Sequence, residues 1–214
     1  MANNGASDLS QLIKDIEIEK LQGPSDSKFL KIGSLWESQT VVLHILRRFG
    51  CRLCRANALE LSKIVPDLES QNIRVIAVGL ERLGMEEFLK GGFWKYELYL
   101  DEGKKLHQAL NLKSLGVFKT LNMILTDKEV KTALQKTKEV PGDLKGDGRQ
   151  LGATLVFAKG GAVLMDFRQR NFADHPTNAS ILEACGIDPG LISEITKNSS
   201  AGDSQQKTCD TVCS

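Results

Sequence analysis

Two cysteines separated by two residues are the part of this chain most suited to chemistry. Cys51 and Cys54 follow an apolar, β-branched run and precede a segment whose apolar residues have helical spacing. A C-x-x-C pair at a strand-to-helix junction is typical of a dithiol redox centre. A helix N-terminus carries partial positive charge and free N–H groups, which favour a thiolate. The pattern therefore predicts a reactive Cys51 thiolate and a Cys54 thiol that can close a disulfide with it.

Cationic side chains surround the pair. Arg48 and Arg52 lie close to Cys51 on either side of it, and Arg47 and Arg55 extend the cluster. Neighbouring cations lower a cysteine pKa, so we predict that Arg48 and Arg52 stabilise the thiolate. For the arginines before Cys51, the alternative is ordinary solvated charge at the end of a strand.

Two other interpretations of the cysteine pair remain open, namely half of a zinc site and a pair of buried, inert thiols. Zinc needs two further ligands, and no ligand spacing connects the three histidines, His44, His107 and His175; we therefore predict no metal. Cys185 is interpreted as a buried helix residue. Cys209 and Cys213 are interpreted as tail thiols, although a mobile tail could bring one of them to Cys51.

Composition limits the class of protein. The chain has 214 residues, 41% of them hydrophobic, and a formal net charge of +1. This balance gives no electrostatic reason to expect nucleic-acid binding. No apolar run approaches the roughly 20 residues of a membrane-spanning helix, and the first residues lack the pattern of a signal peptide. Five scattered cysteines without such a signal fit a reducing compartment, so we expect a cytoplasmic protein.

Hydrophobic periodicity predicts the elements that position the cysteines. A hairpin over 16–32 is followed by a buried strand at 40–46, a helix over 52–70 broken near Pro66, and a parallel strand at 73–79. The order continues with a short helix near 85–89, a strand at 97–100 and a helix capped by Asp101. It ends with a basic helix-like piece over 128–138, a hairpin over 153–167 and a helix over 179–184. We predict a frayed N-terminus over 1–12, a redox domain over 13–195 and a disordered tail over 196–214. The fold class is α/β, a thioredoxin-like mixed sheet with helices on both faces.

Several short stretches resemble the peroxiredoxin-like 2 family. They are the Arg-Arg-Phe-Gly-Cys run ending at Cys51 with Cys54, the segment 97–102, and the turn 159–161. The resemblance covers about residues 28 to 187. It implies an enzyme that reduces the 9,11-endoperoxide of prostaglandin H or its ethanolamide to F-type alcohols, with Cys51 attacking and Cys54 resolving. NADPH is then the ultimate electron source. The sequence Gly146 to Leu151 misses the dinucleotide fingerprint, so thioredoxin is the expected reductant and no tightly bound cofactor is expected.

The chain departs from the wider superfamily at two positions. Gly152 and Ala153 stand where thioredoxins carry the proline that faces the redox cysteine. Arg48 stands where ordinary peroxiredoxins carry Thr or Ser. Docking of a substrate backbone against a cis-proline is therefore not expected, and ordinary hydrogen-peroxide chemistry is placed in doubt. A general thiol peroxide or disulfide reductase and a non-enzymatic binding module remain alternatives.

The apolar segment 115–125 is longer than the connection that a minimal fold needs at this point. We predict that four of its side chains line a groove for a lipid beside Cys51: Leu115, Phe118, Leu121 and Met123. The alternative is that the segment is part of the hydrophobic core.

Overall fold

Residues 6–22 and 28–190 are described by a computed structural model of the chain, and within them one mixed sheet is covered by helices on both faces. The strands are β1 Glu17–Gln22, β2 Phe29–Lys31, β3 Thr40–Ile45, β4 Ile73–Gly79, β5 Glu97–Leu100, β6 Ala153–Phe157 and β7 Val163–Arg168. The helices are α1 Ala6–Ile13, α2 Arg52–Ser62, α3 Val65–Ser70, α4 Met85–Lys90, α5 Lys105–Ala109, α6 Val117–Thr126, α7 Lys128–Lys136 and α8 Asn178–Ala184. A 3₁₀ turn spans Ile32–Trp36.

The strand order is β2-β1-β5-β4-β3-β6-β7. Strands β3, β4 and β5 are parallel to one another, whereas β1 with β2, β1 with β5, β3 with β6, and β6 with β7 pair antiparallel. The predicted βαβ unit, both hairpins and the thioredoxin-like fold class are confirmed. The cysteine pair follows β3, an interior strand whose neighbours β4 and β6 hold the backbone on both sides.

Strand β3 is buried on both faces, as its continuous apolar run predicts. Val42 belongs to the core cluster that includes residues of α2, α3 and α8. Leu43, pointing the other way, belongs to the cluster that includes residues of α1 and α5. This alternation follows from the two-residue period of a strand, and it fixes the direction in which the chain leaves β3 towards Cys51.

The predicted break near Pro66 is confirmed, and it falls just before the proline. Helix α2 ends at Ser62 and α3 begins at Val65, so Pro66 occupies the first turn of a new helix. A proline is tolerated there because the first-turn N–H groups have no partner within the helix. Asp101 also caps its helix as predicted, since its carboxylate accepts from the backbone N–H groups of Lys105 and Leu106 at 2.9 and 2.8 Å.

The prediction of fraying through residue 12 is wrong from residue 6 onward. Helix α1 covers Ala6–Ile13, and its Leu9 and Ile13 are buried in the second core cluster. Their i, i+4 spacing puts both on one helix face, so apolar burial orders a segment that looks merely small and polar. The first five residues and the predicted tail over 196–214 lie outside the described residues. Within the described part of the chain, no helix is long and apolar enough to cross a membrane.

Candidate active site

The turn between β3 and α2 sets the position of Cys51. Phe49 is fully buried and its ring packs against Phe88, with centroids 5.1 Å apart. A Cβ atom at Gly50 would lie 2.0 Å from the Asp143 carboxylate, so a larger residue there would displace this carboxylate from Arg55. Cys51 then takes the N-cap position of α2 with an extended backbone. The turn therefore places its sulfur at the positive end of the helix, as the sequence predicts.

Arg47 is the arginine that contacts the reactive sulfur. Its guanidinium donates a hydrogen bond from Nη2 to Cys51 Sγ at 2.8 Å and another from Nη1 to the carbonyl of Gly148 at 2.9 Å. The guanidinium carbon also lies 4.2 Å from the centre of the Phe172 ring. Arg47 is buried, and a buried cation that is hydrogen-bonded to sulfur stabilises the thiolate strongly.

The pKa values of the two thiols are shifted in opposite directions. Hydrogen bonding from the Cys54 thiol, together with the nearby Arg47 and Arg48 charges, holds the pKa of Cys51 well below its usual range despite burial. The same interaction with Cys51, aided by burial, raises the pKa of Cys54 well above its usual range. These opposite shifts favour a thiolate at Cys51 and a protonated thiol at Cys54, which are the states that a nucleophile and its resolving partner require.

Two other arginines hold a loop over the cysteines. We refer to residues 141–148 as the covering loop. Arg48 donates to the carbonyls of Asp143 and Lys145 at 2.8 and 3.2 Å. Arg55 donates to the carbonyl of Pro141 at 3.0 Å and pairs with the Asp143 carboxylate at 3.3 Å. The backbone of the covering loop is thus tied to the turn that carries Cys51.

The structure differs from the prediction that Arg48 and Arg52 are the arginines that stabilise the Cys51 thiolate. Arg48 directs its guanidinium to backbone carbonyls and contributes only a longer-range charge to Cys51. Arg52 has no hydrogen bond to the sulfur; it is half-buried and lines a cavity beside it. Arg47, four residues before Cys51, makes the direct contact because the turn folds its side chain back over the helix N-terminus. Proximity in sequence alone could not distinguish these three side chains.

A cavity of about 370 Å³ opens beside Cys51, and we refer to it as the Cys51 cavity. Pockets that hold small ligands commonly have about 300–1,000 Å³. Its charged and polar lining comes from Arg47, Arg48, Arg52, Asp143 and Thr120. Its apolar lining consists of Leu53, Ile124, Val130, Leu134, Leu144 and Phe172. A mostly apolar ligand with a few polar groups therefore matches the lining beside the reactive sulfur.

The segment 115–125 does reach this cavity, but through other side chains than those predicted. Helix α6 presents Thr120 and Ile124, one turn apart, to the Cys51 cavity. The four predicted residues are not among those that line it: Leu115 is buried in the core, Met123 packs partly against it, and Phe118 and Leu121 are exposed. The error arises because a helix places positions i and i+4 on one face, whereas the prediction treated the segment's large apolar residues as equivalent.

Gly152 directly precedes β6 and pairs with Gln169, the residue that follows β7. Among the described residues no peptide bond is cis. The backbone N–H of Gly152 donates to the Gln169 side-chain oxygen at 2.7 Å, and its carbonyl accepts from the backbone N–H of Gln169 at 3.1 Å. A Cβ atom at Gly152 would lie 2.2 Å from the carbonyl oxygen of Ile45. Only glycine therefore allows the backbone at position 152 to approach the end of β3 so closely.

The remaining cysteines are separate from the redox pair. Cys185 lies half-buried at the C-terminal end of α8, and burial raises the pKa of its thiol to about 11. Cys209 and Cys213 lie outside the described residues. Among the residues that the structure describes, no cluster of three His, Cys, Asp or Glu side chains is arranged to hold a metal ion.

Comparison with known proteins places the chain in a family. The family model described as AhpC/TSA antioxidant enzyme matches residues 60–171, just over half of the chain. A prostamide/prostaglandin F synthase from Danio rerio is 38% identical over 170 residues, which are 78% of this chain and 85% of that protein. This chain belongs to the peroxiredoxin-like 2 family. The protein of the same name from Bos taurus is 41% identical to this peroxiredoxin-like chain over 161 residues, 74% of this chain and 80% of that protein.

Solved peroxiredoxin structures share the fold of this peroxiredoxin-like 2 protein. Peroxiredoxin Q from Xanthomonas campestris superimposes with a TM-score of 0.55 at 13% identity, covering 82% of this chain and 92% of that one. Reduced 2-Cys peroxiredoxin from Plasmodium vivax gives a TM-score of 0.53 at 15% identity, covering 87% and 81%. These likenesses concern the fold. Together with the family assignment and the relatives, the buried dithiol identifies the protein as a thiol oxidoreductase.

Proposed function

We propose that this protein reduces the 9,11-endoperoxide of prostaglandin H, or of its ethanolamide, to F-type alcohols through Cys51 and Cys54. The observation that carries the proposal is the Cys51 sulfur, held by Arg47 at 2.8 Å beside a largely apolar cavity of about 370 Å³. The names of the relatives point to the same substrate class. A fatty-acid-derived peroxide needs both an accessible thiolate and apolar walls.

The reaction balances with two thiols and one peroxide bond. The Cys51 thiolate attacks one endoperoxide oxygen, so that an S–O bond forms and the O–O bond breaks. The departing alkoxide takes the proton of the Cys54 thiol. The resulting Cys54 thiolate attacks the Cys51 sulfur, forms the disulfide and displaces the second alkoxide, which takes a proton from water. The substrate is reduced by two electrons to a diol, and the two thiols are oxidised to one disulfide.

An external dithiol must then restore the reduced enzyme. We propose that thioredoxin supplies it, with NADPH as the ultimate electron source and no tightly bound cofactor. A cytoplasmic location belongs to the same proposal, because a reducing compartment keeps thiols free.

The test is turnover of purified protein with thioredoxin, thioredoxin reductase and NADPH. We expect rapid NADPH loss with the lipid endoperoxide and little with hydrogen peroxide or insulin. Cys51→Ser should abolish the reaction, and Cys54→Ser should stop it after a single event. Cys185→Ser should match the wild-type protein, since Cys185 lies outside the Cys51 cavity. Comparable rates with hydrogen peroxide or insulin would instead indicate the general thiol reductase, and absence of turnover with every acceptor would indicate a binding module.

A further inference from the structure

Arg52 differs from the other arginines around the redox pair. Arg47, Arg48 and Arg55 all donate to sulfur, carbonyl or carboxylate partners. The guanidinium of Arg52 has no hydrogen bond or ion pair with any of the residues that the structure describes. It nevertheless lines the Cys51 cavity and is half-buried there. A half-buried guanidinium at a cavity wall therefore keeps its donors available for a ligand.

The charge balance of the cavity favours an anion at this position. The charged lining includes three arginines, one carboxylate, Asp143, and the Cys51 sulfur, whose negative charge is compensated by Arg47. That carboxylate is already engaged, because it pairs with Arg55 and accepts from the backbone N–H of Lys145. The charge of Arg52 is thus left uncompensated within the cavity. A planar guanidinium binds a carboxylate in a fork geometry that a neutral amide cannot reproduce.

A second unused polar group lies in the same cavity. The hydroxyl oxygen of Thr120 is buried and has no hydrogen-bond partner among the described residues. Helix α6 places it one turn from the apolar Ile124, which also lines the cavity, and Val130 and Leu134 of α7 extend the apolar wall. A buried hydroxyl without a partner is unfavourable, and an oxygen atom on the body of a bound lipid would relieve it. The lining thus combines one free cation, one free hydroxyl and an apolar wall.

We propose that the Cys51 cavity is a subsite for a lipid carboxylic acid, with Arg52 as the residue that distinguishes the free acid from its neutral amide. This inference rests on the proposed function and deepens it, because it assigns preference between the acid and ethanolamide forms of the substrate. Arg52 pairs with the carboxylate, and the apolar chain follows Ile124, Val130 and Leu134. Thr120 hydrogen-bonds an oxygen on the chain of ligands that carry one.

The test measures equilibrium binding of ligands that do not react with thiols. Arachidonic acid and its ethanolamide are titrated into the reduced full-length protein by calorimetry. We expect the wild-type protein to bind the acid about tenfold or more tightly than the ethanolamide, as one charged hydrogen-bonded contact predicts. Arg52→Gln should remove this preference by weakening acid binding alone, and Arg52→Lys should restore part of it. Raised salt should weaken acid binding and leave ethanolamide binding unchanged.

Two controls isolate the role of Arg52. Lys131→Gln removes the same charge from an exposed position on α7 outside the cavity lining and should preserve the preference. Thr120→Val should leave the ratio of the two affinities unchanged. Equal wild-type affinity for both ligands, absence of binding, or an equal loss for both in Arg52→Gln would overturn the inference. The proposed function is tested separately, since a binding preference without endoperoxide turnover would retain the acid subsite and reject the reaction.

Discussion

The bond from Arg47 to Cys51 supports a quantitative prediction about the thiol pKa. Arg47→Met removes the only guanidinium that donates to Cys51 Sγ among the described residues, at 2.8 Å, and keeps an unbranched side chain against Phe172. A hydrogen bond to a charged group contributes about 1.5–3 kcal/mol. One pKa unit corresponds to about 1.4 kcal/mol. The change should therefore raise the pKa of the Cys51 thiol by about 1–2 units.

The sign follows from which form the cation stabilises. Arg47 favours the thiolate, so its removal favours the thiol and moves deprotonation to higher pH. The rate of alkylation by iodoacetamide, followed against pH in a Cys54→Ser background, reports this deprotonation. Without further substitution, the midpoint in that background should lie below the ordinary value of about 8.5. Adding Arg47→Met should move it up, and Arg47→Lys should give an intermediate value.

Arg48→Met is the matched control, because Arg48 donates only to carbonyls of the covering loop. Its effect on the midpoint should be smaller, since it acts on Cys51 only through its charge. Thermal unfolding of each variant identifies any change that comes from loss of structure. A midpoint in Arg47→Met that moves no further than in Arg48→Met would refute the assignment of Arg47 as the main arginine partner of the thiolate.

Two further predictions concern the cavity wall and the covering loop. Ile124→Ser should raise KM for the lipid endoperoxide about tenfold while leaving KM for a small hydroperoxide nearly unchanged, because a lost apolar contact is worth about 1–2 kcal/mol. Phe118→Ser, on the same helix but 90% exposed, is the control; an equal effect of both variants would contradict the assigned wall. Arg55→Met should lower the free energy of unfolding by about 2–4 kcal/mol in chemical denaturation, because two carbonyls and a carboxylate lose their partner. Arg149→Met, at an exposed position, should change it little, and equal losses would mean that the covering loop is not held by Arg55.

Local patterns were sufficient to predict the scaffold. The run of β-branched residues in β3, the turn glycines before β7 and the helix-capping Asp101 act through short-range preferences, and each of these elements is where the sequence places it. The position of the C-x-x-C pair at a strand-to-helix junction was likewise predictable from the residues on either side of it. These features depend on neighbours in the chain, so they can be derived without knowing how distant segments pack.

The partners of the cysteine pair depend on contacts between distant segments. Arg47 and Arg48 differ in what they touch because the covering loop, about 95 residues later, supplies carbonyls to one side of the turn. Phe172 reaches Arg47 from beyond β7. No spacing rule connects such positions. The i, i+4 spacing of Thr120 and Ile124 shows from sequence that they share one face of α6. Which face of α6 lines the cavity can be decided only when the position of Cys51 is known.

The pairing of Gly152 with Gln169 has a consequence for how an extended peptide could bind at this part of the chain. An extended polypeptide binds beside a strand by exchanging backbone N–H and carbonyl bonds with it. Both backbone groups of Gly152 are already occupied within the chain. A protein disulfide would find no main-chain partner at this point and would have to displace the Gln169 amide first. The backbone of Gly152 is thus closed to strand addition for as long as Gln169 keeps both bonds.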